Sequence, residues 1–599
     1  GVKMKNNKPY AYDITFFGNT VNLKDVIGED ELDQLSSLSA YDHGFNSSDV
    51  FDGLTTNLHG GVIRYPLMTH SQQYIYDSNT SNENIGNIAY HGSGHTHGIY
   101  FYDLKPALRV LDIITAIQTK YTIANGYSQD IVFSNDFFDT STAAFSNLYL
   151  WLHRTKGRIG ATSSGETEVS VPSGFSYLSG DNVFNFIVAD SIWQGTTDRF
   201  TYIDSVLTIT PTQTSEIYDI QVTDEVSNTI LIDSRDLSGI QTFNLSLPKT
   251  SSGSRDYEIK VRVIIDSALT EYDAKWNIIQ TEEQDPGEPD IVSDGTHQVL
   301  NVQITTEVIV VDNLPKIKIV DFLTGIFKMF NLTAYVNSAG TIIVKTLDDY
   351  YNGGVPYDIT KYVDVDDSSV NNSLPFRQIS FEYSEPKTFI SNEFSEINNK
   401  DFGKLEYDGG EKLDGSKYEI KLPFEKVVFE RLTDATGTPE TDSMYGYFVD
   451  EKQDPLLAKP LLFYSVSQTA GSKKIVYMDG ATPTPIGSGE QSTSYNKPSN
   501  VNENGTPAYT LNFGSEINEW ELVTSTNSLF EKFYKTYITD TFNSKNRITK
   551  VTAYLPLRIL LNYTLADRFI LNGKSYKINS VKTELQSGKS EIELLNDFS

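Results

Sequence analysis

Short apolar runs separated by polar residues make up most of this chain and predict a protein built mainly from β-strands. The runs are about four to eight residues long and rich in Tyr, Phe, Ile, Val and Thr, and Asn, Gly, Asp and Ser lie between them. Few segments have the spacing of three and four residues between apolar positions that indicates a helix. The predicted fold class is therefore mainly β with a few helices (α+β).

Two segments with helical spacing have nearly the same sequence. They start at Pro106 and Pro315, and each matched pair lies 315 − 106 = 209 positions apart. The identical pairs are Pro106/Pro315, Asp112/Asp321, Thr115/Thr324 and Ile117/Ile326. Because proline is well tolerated in the first turn of a helix, both helices are expected to begin at these prolines.

Each of these helices is predicted to have one narrow polar stripe and otherwise apolar faces. The stripe contains Arg109, Asp112 and Ala116 in the first helix and Lys318, Asp321 and Gly325 in the second. The small residue at 116 or 325 would let a neighbouring element approach closely, and Leu111 and Val320 are expected inside the protein. The basic residue and the aspartate of each stripe are expected to form a solvated ion pair.

The sequence around the two helices corresponds as well. A predicted strand precedes each helix, at 99–102 and 308–311, and a predicted strand follows, ending in an acid and two aromatic residues, at 131–138 and 342–351. A strand–helix–strand unit is therefore predicted to occur twice. The prediction is two equivalent domains with an inserted β-sandwich between them.

The remaining patterns divide the chain into five predicted regions. The first module spans 1–156, and the inserted sandwich, with an acidic exit linker at 282–290, spans 157–284. The second module spans 285–435, and a Ser/Thr/Gly-rich stretch at 468–506 predicts an irregular, loop-rich extension at 436–515. A closing β segment spans 516–599, with an Asn572-Gly573 hairpin turn.

Composition limits the classes of partner. The 599 residues carry a formal charge of −31, which argues against binding a nucleic-acid backbone through lysine and arginine patches. There is no cysteine, so the fold uses no disulfide bonds, and no apolar run reaches the roughly 18 residues of a membrane span. No export signal is visible, and because the first residue is Gly1, the true N-terminus is left open.

The motifs that usually identify an enzyme were not found. The chain has no Gly-x-Ser-x-Gly, no phosphate-binding Gly-Lys-Ser/Thr loop and no His-Glu-x-x-His. The acidic run at 363–367 has only half of a calcium loop and predicts an acidic turn. No enzymatic activity and no cofactor are predicted.

Three of the eight histidines lie in the stretch HGSGHTHG, which makes His91, His95 and His97 candidate metal ligands. Imidazole nitrogen binds zinc, iron or copper, but a structural zinc site usually needs four ligands. The others would have to come from a second subunit or from His43, His59, His70, Asp42 or Asp103. The alternative, which the pattern favours, is a glycine-rich polar loop with solvated or hydrogen-bonded histidines.

Several stretches resemble one protein family. The repeated unit, with the turn Asn331-Leu-Thr-Ala-Tyr335 in its second copy, resembles the hub modules of bacteriophage tail and baseplate proteins. The ending at 565–581 is similar to the closing β segment of those proteins, and 147–154 and 379–383 resemble large virion proteins of tailed phages. The resemblance covers about half of the chain. The long insert and the Ser/Thr/Gly-rich extension of this chain depart from a minimal hub.

The resemblance implies a structural role in the virion. Hub proteins carry two similar barrel domains, so a homotrimer presents six near-equivalent units to a sixfold tail tube and threefold symmetry to the spike. It therefore implies a baseplate or tail hub that is assembled in the host cytoplasm and joins the tube to the spike or fibres. Its acidic lumen would pass DNA without binding it, and neither sequence-specific nucleic-acid binding nor membrane insertion is expected.

Two alternatives remain open. One is a carbohydrate-binding or receptor-binding tail protein whose insert acts as a lectin-like module. The other is a nozzle or fibre-adaptor subunit that uses the same modules in a different ring. The sequence does not identify the host, the receptor or the position in the virion.

Overall fold

The computed structural model describes three parts of the chain, besides the backbone of two N-terminal strands. The first is 23–152 without 56–57, 71, 83–85 and 93–96, and the second is formed by segments of 186–303. The third is 307–597 without 373–375, 411–416, 451, 453–455, 457–458, 480–481, 504, 516–526, 544 and 585–586.

Eight α-helices occur in the described residues. They are α1 (Leu23–Ile27), α2 (Ser47–Thr55), α3 (Val110–Lys120), α4 (Ile319–Met329), α5 (Leu347–Asn352), α6 (Phe389–Asn398), α7 (Lys535–Thr541) and α8 (Leu557–Leu560). A π-helical turn, Phe530–Tyr534, leads directly into α7.

Strands are far more numerous, which confirms the mainly β class with a few helices. Before the insert they are β1 (Val2–Lys5), β2 (Lys8–Tyr12), β3 (His43–Gly44), β4 (Ile63–Arg64), β5 (Met68–Thr69), β6 (Ile99–Tyr100), β7 (Ala107–Arg109) and β8 (Leu148–Trp151). Those of the insert are β9 (Phe186–Ile187), β10 (Ile192–Thr196), β11 (Tyr202–Pro211), β12 (Tyr218–Asp224), β13 (Thr229–Leu237), β14 (Gln241–Pro248), β15 (Asp256–Ile265), β16 (Glu271–Glu282) and β17 (Ile291–Gln303).

The C-terminal half contributes eighteen further strands. As far as Tyr447 they are β18 (Glu307–Val308), β19 (Leu332–Val336), β20 (Ile342–Thr346), β21 (Pro356–Asp358), β22 (Val363–Asn372), β23 (Gln378–Ser384), β24 (Leu405–Asp408), β25 (Tyr418–Glu425), β26 (Glu430–Thr433) and β27 (Pro439–Tyr447). The rest are β28 (Leu462–Thr469), β29 (Ile475–Asp479), β30 (Thr482–Ile486), β31 (Ser494–Ser499), β32 (Arg547–Tyr554), β33 (Arg568–Leu571), β34 (Lys574–Thr583) and β35 (Lys589–Asn596).

The two matched helices have the same boundaries at the predicted offset of 209 residues. Their buried positions also correspond: Val110/Ile319, Ile113/Phe322, Ile114/Leu323, Ala116/Gly325 and Ile117/Ile326. The predicted register is thus confirmed. Three details are wrong: residues 116 and 325 are buried and not on the polar stripe, Leu111 and Val320 are only half-buried, and neither helix begins at its proline.

Both helices start later than predicted because the residues after each proline are held in an extended conformation by other segments. Strand β7 pairs with β4 and β8, so the chain turns helical only at Val110. Near the second helix, Lys318 forms a bridge with Glu31, and the carbonyl of Ile317 accepts a hydrogen bond from Leu32. Pairing with a partner strand therefore overrides the local preference of proline for a helical first turn.

The sequences after the two helices do not form the same structure. Strands β19 and β20 form a hairpin after α4, and the acid and two aromatics at 349–351 lie in α5 and not in a strand. After α3, Phe133 makes only a single bridge, to Ile342. The described residues therefore show two matched helices, and two duplicated modules remain a proposal.

The aspartates of the two helices also have different partners. Arg109 Nε lies 2.6 Å from Asp112 Oδ2, and the Tyr41 hydroxyl donates to Asp112 Oδ1, so this pair is largely buried and not solvated. In the second helix Lys318 pairs with Glu29 instead of Asp321. The ion pair is therefore not a shared feature of the two helices.

One large hydrophobic core joins distant parts of the chain. It contains residues from Val26 to Phe542, including the inner faces of α3 and α4 and residues of β28, β29 and β31. The sheet β21-β33-β34-β35-β32-β22 is a half-barrel with its own core around Phe569, Ile592 and Leu594. The five predicted regions remain predictions.

One local prediction is wrong, and another lies mostly outside the described residues. The stretch 468–506 is not an irregular surface loop, because β28 to β31 lie in it or lead into it and bury Tyr477 and Tyr495. Residues 283–290 of the predicted exit linker lie outside the described residues, and the strands on either side of them, β16 and β17, pair with Glu282 opposite Ile291. The described strands of 186–303 form two antiparallel sheets, β13-β12-β15-β10-β9 and β14-β11-β16-β17.

Candidate interaction surface

One connection on the half-barrel sheet runs from the end of β32 at Tyr554 to the start of β33 at Arg568. Strands β33, β34, β35 and β32 are antiparallel in turn, and their register places Arg568 level with Ile548, at the start of β32. Helix α8 lies in the connection between these two strands. Val355 lies beside the start of β33, because its N–H donates to Asp567 Oδ1 at 2.7 Å and its carbonyl accepts from Arg568 N.

The residues from Tyr554 to Leu565, together with Val355, include five large apolar side chains that are exposed. Leu557 is 65% exposed and Leu561 is 73% exposed, and Tyr554, Leu565 and Val355 are each about half exposed. We call these five residues the apolar end. An apolar patch exposed on a folded protein typically marks a contact with another molecule.

The neighbouring edge of the same sheet is also open. Strand β22 lies at the edge of the six-stranded order and pairs only with β32 in the described residues. Its register shifts between Asp364 and Ser368, so the predicted acidic turn forms a bulge there. Within it, Asp366 N donates to Asp364 Oδ1, and Asp367 accepts a hydrogen bond from Thr552. A charged bulge protects an exposed strand edge from unspecific pairing.

The sequence contained one signal for the apolar end. Leu557, Leu561 and Leu565 recur every fourth residue, which indicates a common helical face. Sequence reasoning missed it because the same spacing is typical of a helix that faces the core. The exposure of these residues follows from the short length of α8 and not from their identity.

The histidines predicted as metal ligands are only partly described. His95 lies outside the described residues. His91 Nε2 lies 2.7 Å from the carbonyl oxygen of Asp77, and His97 is buried with only 3% of its surface exposed. Since a ring nitrogen bonded to a carbonyl must carry the proton, Nε2 of His91 cannot bind a metal in this arrangement.

The other predicted ligands do not converge on this stretch in the described residues. His43 Nε2 lies 2.7 Å from the Tyr65 hydroxyl and its Nδ1 lies 2.8 Å from the carbonyl of Tyr41. The ring of His70 packs against Trp151. Within the part of the chain that the structure describes, no three His, Asp or Glu side chains are placed to hold a metal ion.

Two buried carboxyl groups were not predicted from the sequence. Burial raises the pKa of Glu425 to about 7, although N–H groups of Lys387 and Lys459 donate to it. Burial also raises the pKa of Glu430 to about 7, and the Tyr445 hydroxyl, 3.1 Å away, partly offsets this. Because both carboxyl groups are desolvated, their protonation is coupled to the stability of the fold.

No model of a known protein family matches this chain, and no curated protein sequence matches it. Among the described residues, no helix is both long enough and apolar enough to cross a membrane.

Proposed function

We propose that this protein is a structural subunit of a bacteriophage tail, the hub that joins the sixfold tail tube to the distal spike or fibre assembly. In this proposal the chain forms a homotrimer and contacts other tail proteins. It acts in the virion, is assembled in the host cytoplasm and is not an enzyme. The two helical units then supply six related positions from three chains.

The observation that carries the proposal is the match between α3 and α4. The two helices have equal length, equal register and a small buried residue at the same position, 116 or 325. Such a repeat inside one chain suits a ring in which each subunit must occupy two similar places. Two duplicated hub-like modules, with the half-barrel as part of the second, are the finer form of this proposal.

The half-barrel supports an assembly role. Its apolar end and open edge are surfaces on which a further protein can pack, and a closed oligomer would remove both from water. The charge of −31 fits a ring whose lumen passes DNA without binding it.

Native mass spectrometry of the full chain, followed by immunogold labelling of tailed particles that contain it, tests the proposal. We expect trimers of the 67.1 kDa chain and label at the tail end of the particle. Only monomers or dimers at micromolar concentration, or label on the capsid, would overturn it.

Variants of the apolar end sharpen this test. Leu557→Ser combined with Leu561→Ser should weaken assembly, while the free energy of unfolding changes by no more than about 0.5 kcal/mol per site because both side chains are exposed. Ile123→Ser is the matched control, since Ile123 is 62% exposed after α3 and lies outside this surface. Equal assembly of both variants would exclude the apolar end as a contact.

A further inference from the structure

A pocket of about 550 Å³ lies along one face of α4. Residues 316–318, 321, 324 and 328 form one wall, and 384, 421–423, 459 and 460 form the other. Leu422, Pro423 and Pro460 give the pocket an apolar part, and five lysines surround it. The lysines are Lys316, Lys318, Lys328, Lys421 and Lys459, and we call this site the lysine pocket.

Two of the five lysines already have carboxylate partners. Lys318 pairs with Glu29, and Lys421 Nζ lies 3.2 Å from Glu419 and 3.5 Å from Glu382. Lys316, Lys328 and Lys459 form no ion pair with any carboxylate in the described part of the chain. Three lysines that form no ion pair with a described carboxylate therefore lie around one concave site.

The charge of the lysine pocket is opposite to that of the chain as a whole. The chain has 79 acidic and 48 basic residues, so its surface is mostly negative. The lining contains only two carboxylates, Glu31 and Asp321. A cavity with excess lysine attracts an anionic group, and its apolar part suits the methylene groups of a side chain and not a bare ion.

Nucleic acid is the less suitable anion. A phosphate backbone continues beyond any single pocket, and on this chain it would meet a surface of net charge −31. Glu31 and Asp321 would also lie against it. A short acidic peptide segment avoids both problems, because its charge can end where the lysines end.

We propose that the lysine pocket binds an acidic segment of a second copy of this chain. The inference rests on the proposed homo-oligomer. When chains of charge −31 assemble, their overall repulsion must be offset where they touch, and lysines opposite carboxylates do this. The acidic segments are supplied by the chain itself, which has 79 such side chains.

Zero-length cross-linking tests the contact directly. A mixture of ¹⁴N-labelled and ¹⁵N-labelled full-length chains is treated with a carbodiimide, which joins a lysine amine to a carboxylate in contact with it. We expect mixed-isotope cross-links from Lys316, Lys328 or Lys459 to carboxylates of the other copy, and the peptides identify the segment. Cross-links between copies that never include these lysines would overturn the proposal.

Charge reversal supplies the second measurement. The triple variant Lys316→Glu, Lys328→Glu, Lys459→Glu should assemble at least about tenfold more weakly than the wild type in native mass spectrometry. The control is Lys545→Glu, Lys574→Glu, Lys582→Glu, which changes the net charge equally at three exposed lysines outside the pocket. It should assemble nearly as the wild type does.

The outcomes separate this inference from the proposed function. If the wild type is a trimer and both triple variants assemble equally, the pocket contact is wrong and the hub proposal stands. If the wild type is only a monomer, the homo-oligomer fails and the pocket contact fails with it. If the pocket variant does not fold, the cross-links of the wild type decide.

Discussion

Gly325 in α4 lies so close to Phe424 in β25 that a methyl group on the glycine would stand 2.6 Å from a ring carbon of the phenylalanine. Carbon atoms in contact normally keep about 3.5–4.0 Å apart, so no other residue fits at 325 without movement. Phe424 is fully buried, and its ring packs edge-on against Phe322 of the same helix. The expected close approach at this small residue is thereby confirmed for the second helix.

Gly325→Ala should therefore destabilise the protein, although alanine favours a helix. Overpacking costs about 1–3 kcal/mol, and the gain in helix propensity offsets at most about 1 kcal/mol of it. Urea unfolding measures the free energy of unfolding. Thr324→Ala, on the exposed side of the same helix, is the control and should change it by no more than about 0.5 kcal/mol. A Gly325→Ala protein as stable as the wild type would contradict the tight contact.

Asp30 connects the two matched helices. Its carboxylate accepts from Lys120 Nζ at 2.7 Å and from the Tyr121 hydroxyl at 2.8 Å, at the end of α3. Its carbonyl oxygen accepts from Ile319 N, at the start of α4. Burial raises the pKa of Asp30, but the bonds from Lys120 and Tyr121 outweigh it, so the pKa lies below its ordinary value of 3.8.

Asp30→Ala should lower the free energy of unfolding by about 1–3 kcal/mol, because two hydrogen bonds to a charged acceptor are lost. The contribution of this carboxylate is present above pH 3.8 and is lost as the pH falls through its lower folded-state pKa. Wild type and variant should therefore converge in stability at low pH. Glu29→Ala is the matched control, since Glu29 is largely exposed and pairs only with Lys318 in the described residues. Its loss should leave the free energy of unfolding nearly unchanged, because an exposed ion pair contributes little.

Local sequence signals predicted local structure well. The spacing of apolar residues placed the register of α3 and α4, and Asn572-Gly573 forms the hairpin turn between β33 and β34, both with positive φ. These features depend on residues close together in the chain. The type of a turn is determined by the φ angles of its own residues, and the buried face of a helix is determined by the spacing of apolar residues within that helix.

Long-range features were not predictable in the same way. Lys497 lies in a polar stretch, yet it is only 3% exposed because β31 pairs with β28 inside the sheet β31-β28-β8-β7-β4. The composition of this stretch predicts a surface loop. The structure differs because the stretch pairs with another strand, which its composition does not reveal. The apolar end and the lysine pocket likewise depend on residues brought together from distant positions, which no single pattern in the sequence marks.

The histidine stretch should not hold a stoichiometric metal ion. One nitrogen of His91 is bonded to the carbonyl of Asp77, and the described residues supply no set of three ligands. Elemental analysis of the purified full chain should therefore give much less than one zinc, iron or copper per chain. A near-stoichiometric metal that is lost on changing His95→Ala and His97→Ala would reverse this prediction.

The two buried carboxyl groups should make the protein less stable as the pH rises through neutrality. A carboxyl group whose folded-state pKa lies near 7 and whose unfolded value is 4.5 stabilises the fold fully below pH 4.5 and loses this contribution as the pH rises through 7. Each pKa unit corresponds to about 1.4 kcal/mol, so Glu425 alone should cost on the order of 1–3 kcal/mol between pH 5 and pH 8. Glu425→Gln with Glu430→Gln keeps the shape of both side chains and removes both charges.

Urea unfolding at pH 5, 6, 7 and 8, at fixed ionic strength, measures this effect. The wild type should lose stability across the series, and the double variant should lose clearly less, so that the two differ most at pH 8. Glu591→Gln is the control, because Glu591 is exposed on β35 and its replacement should leave the wild-type slope unchanged. Parallel curves for the wild type and the double variant would mean that neither carboxyl group is held protonated by the fold, and the desolvation at Glu425 would then have to be relieved by water or by movement of the chain.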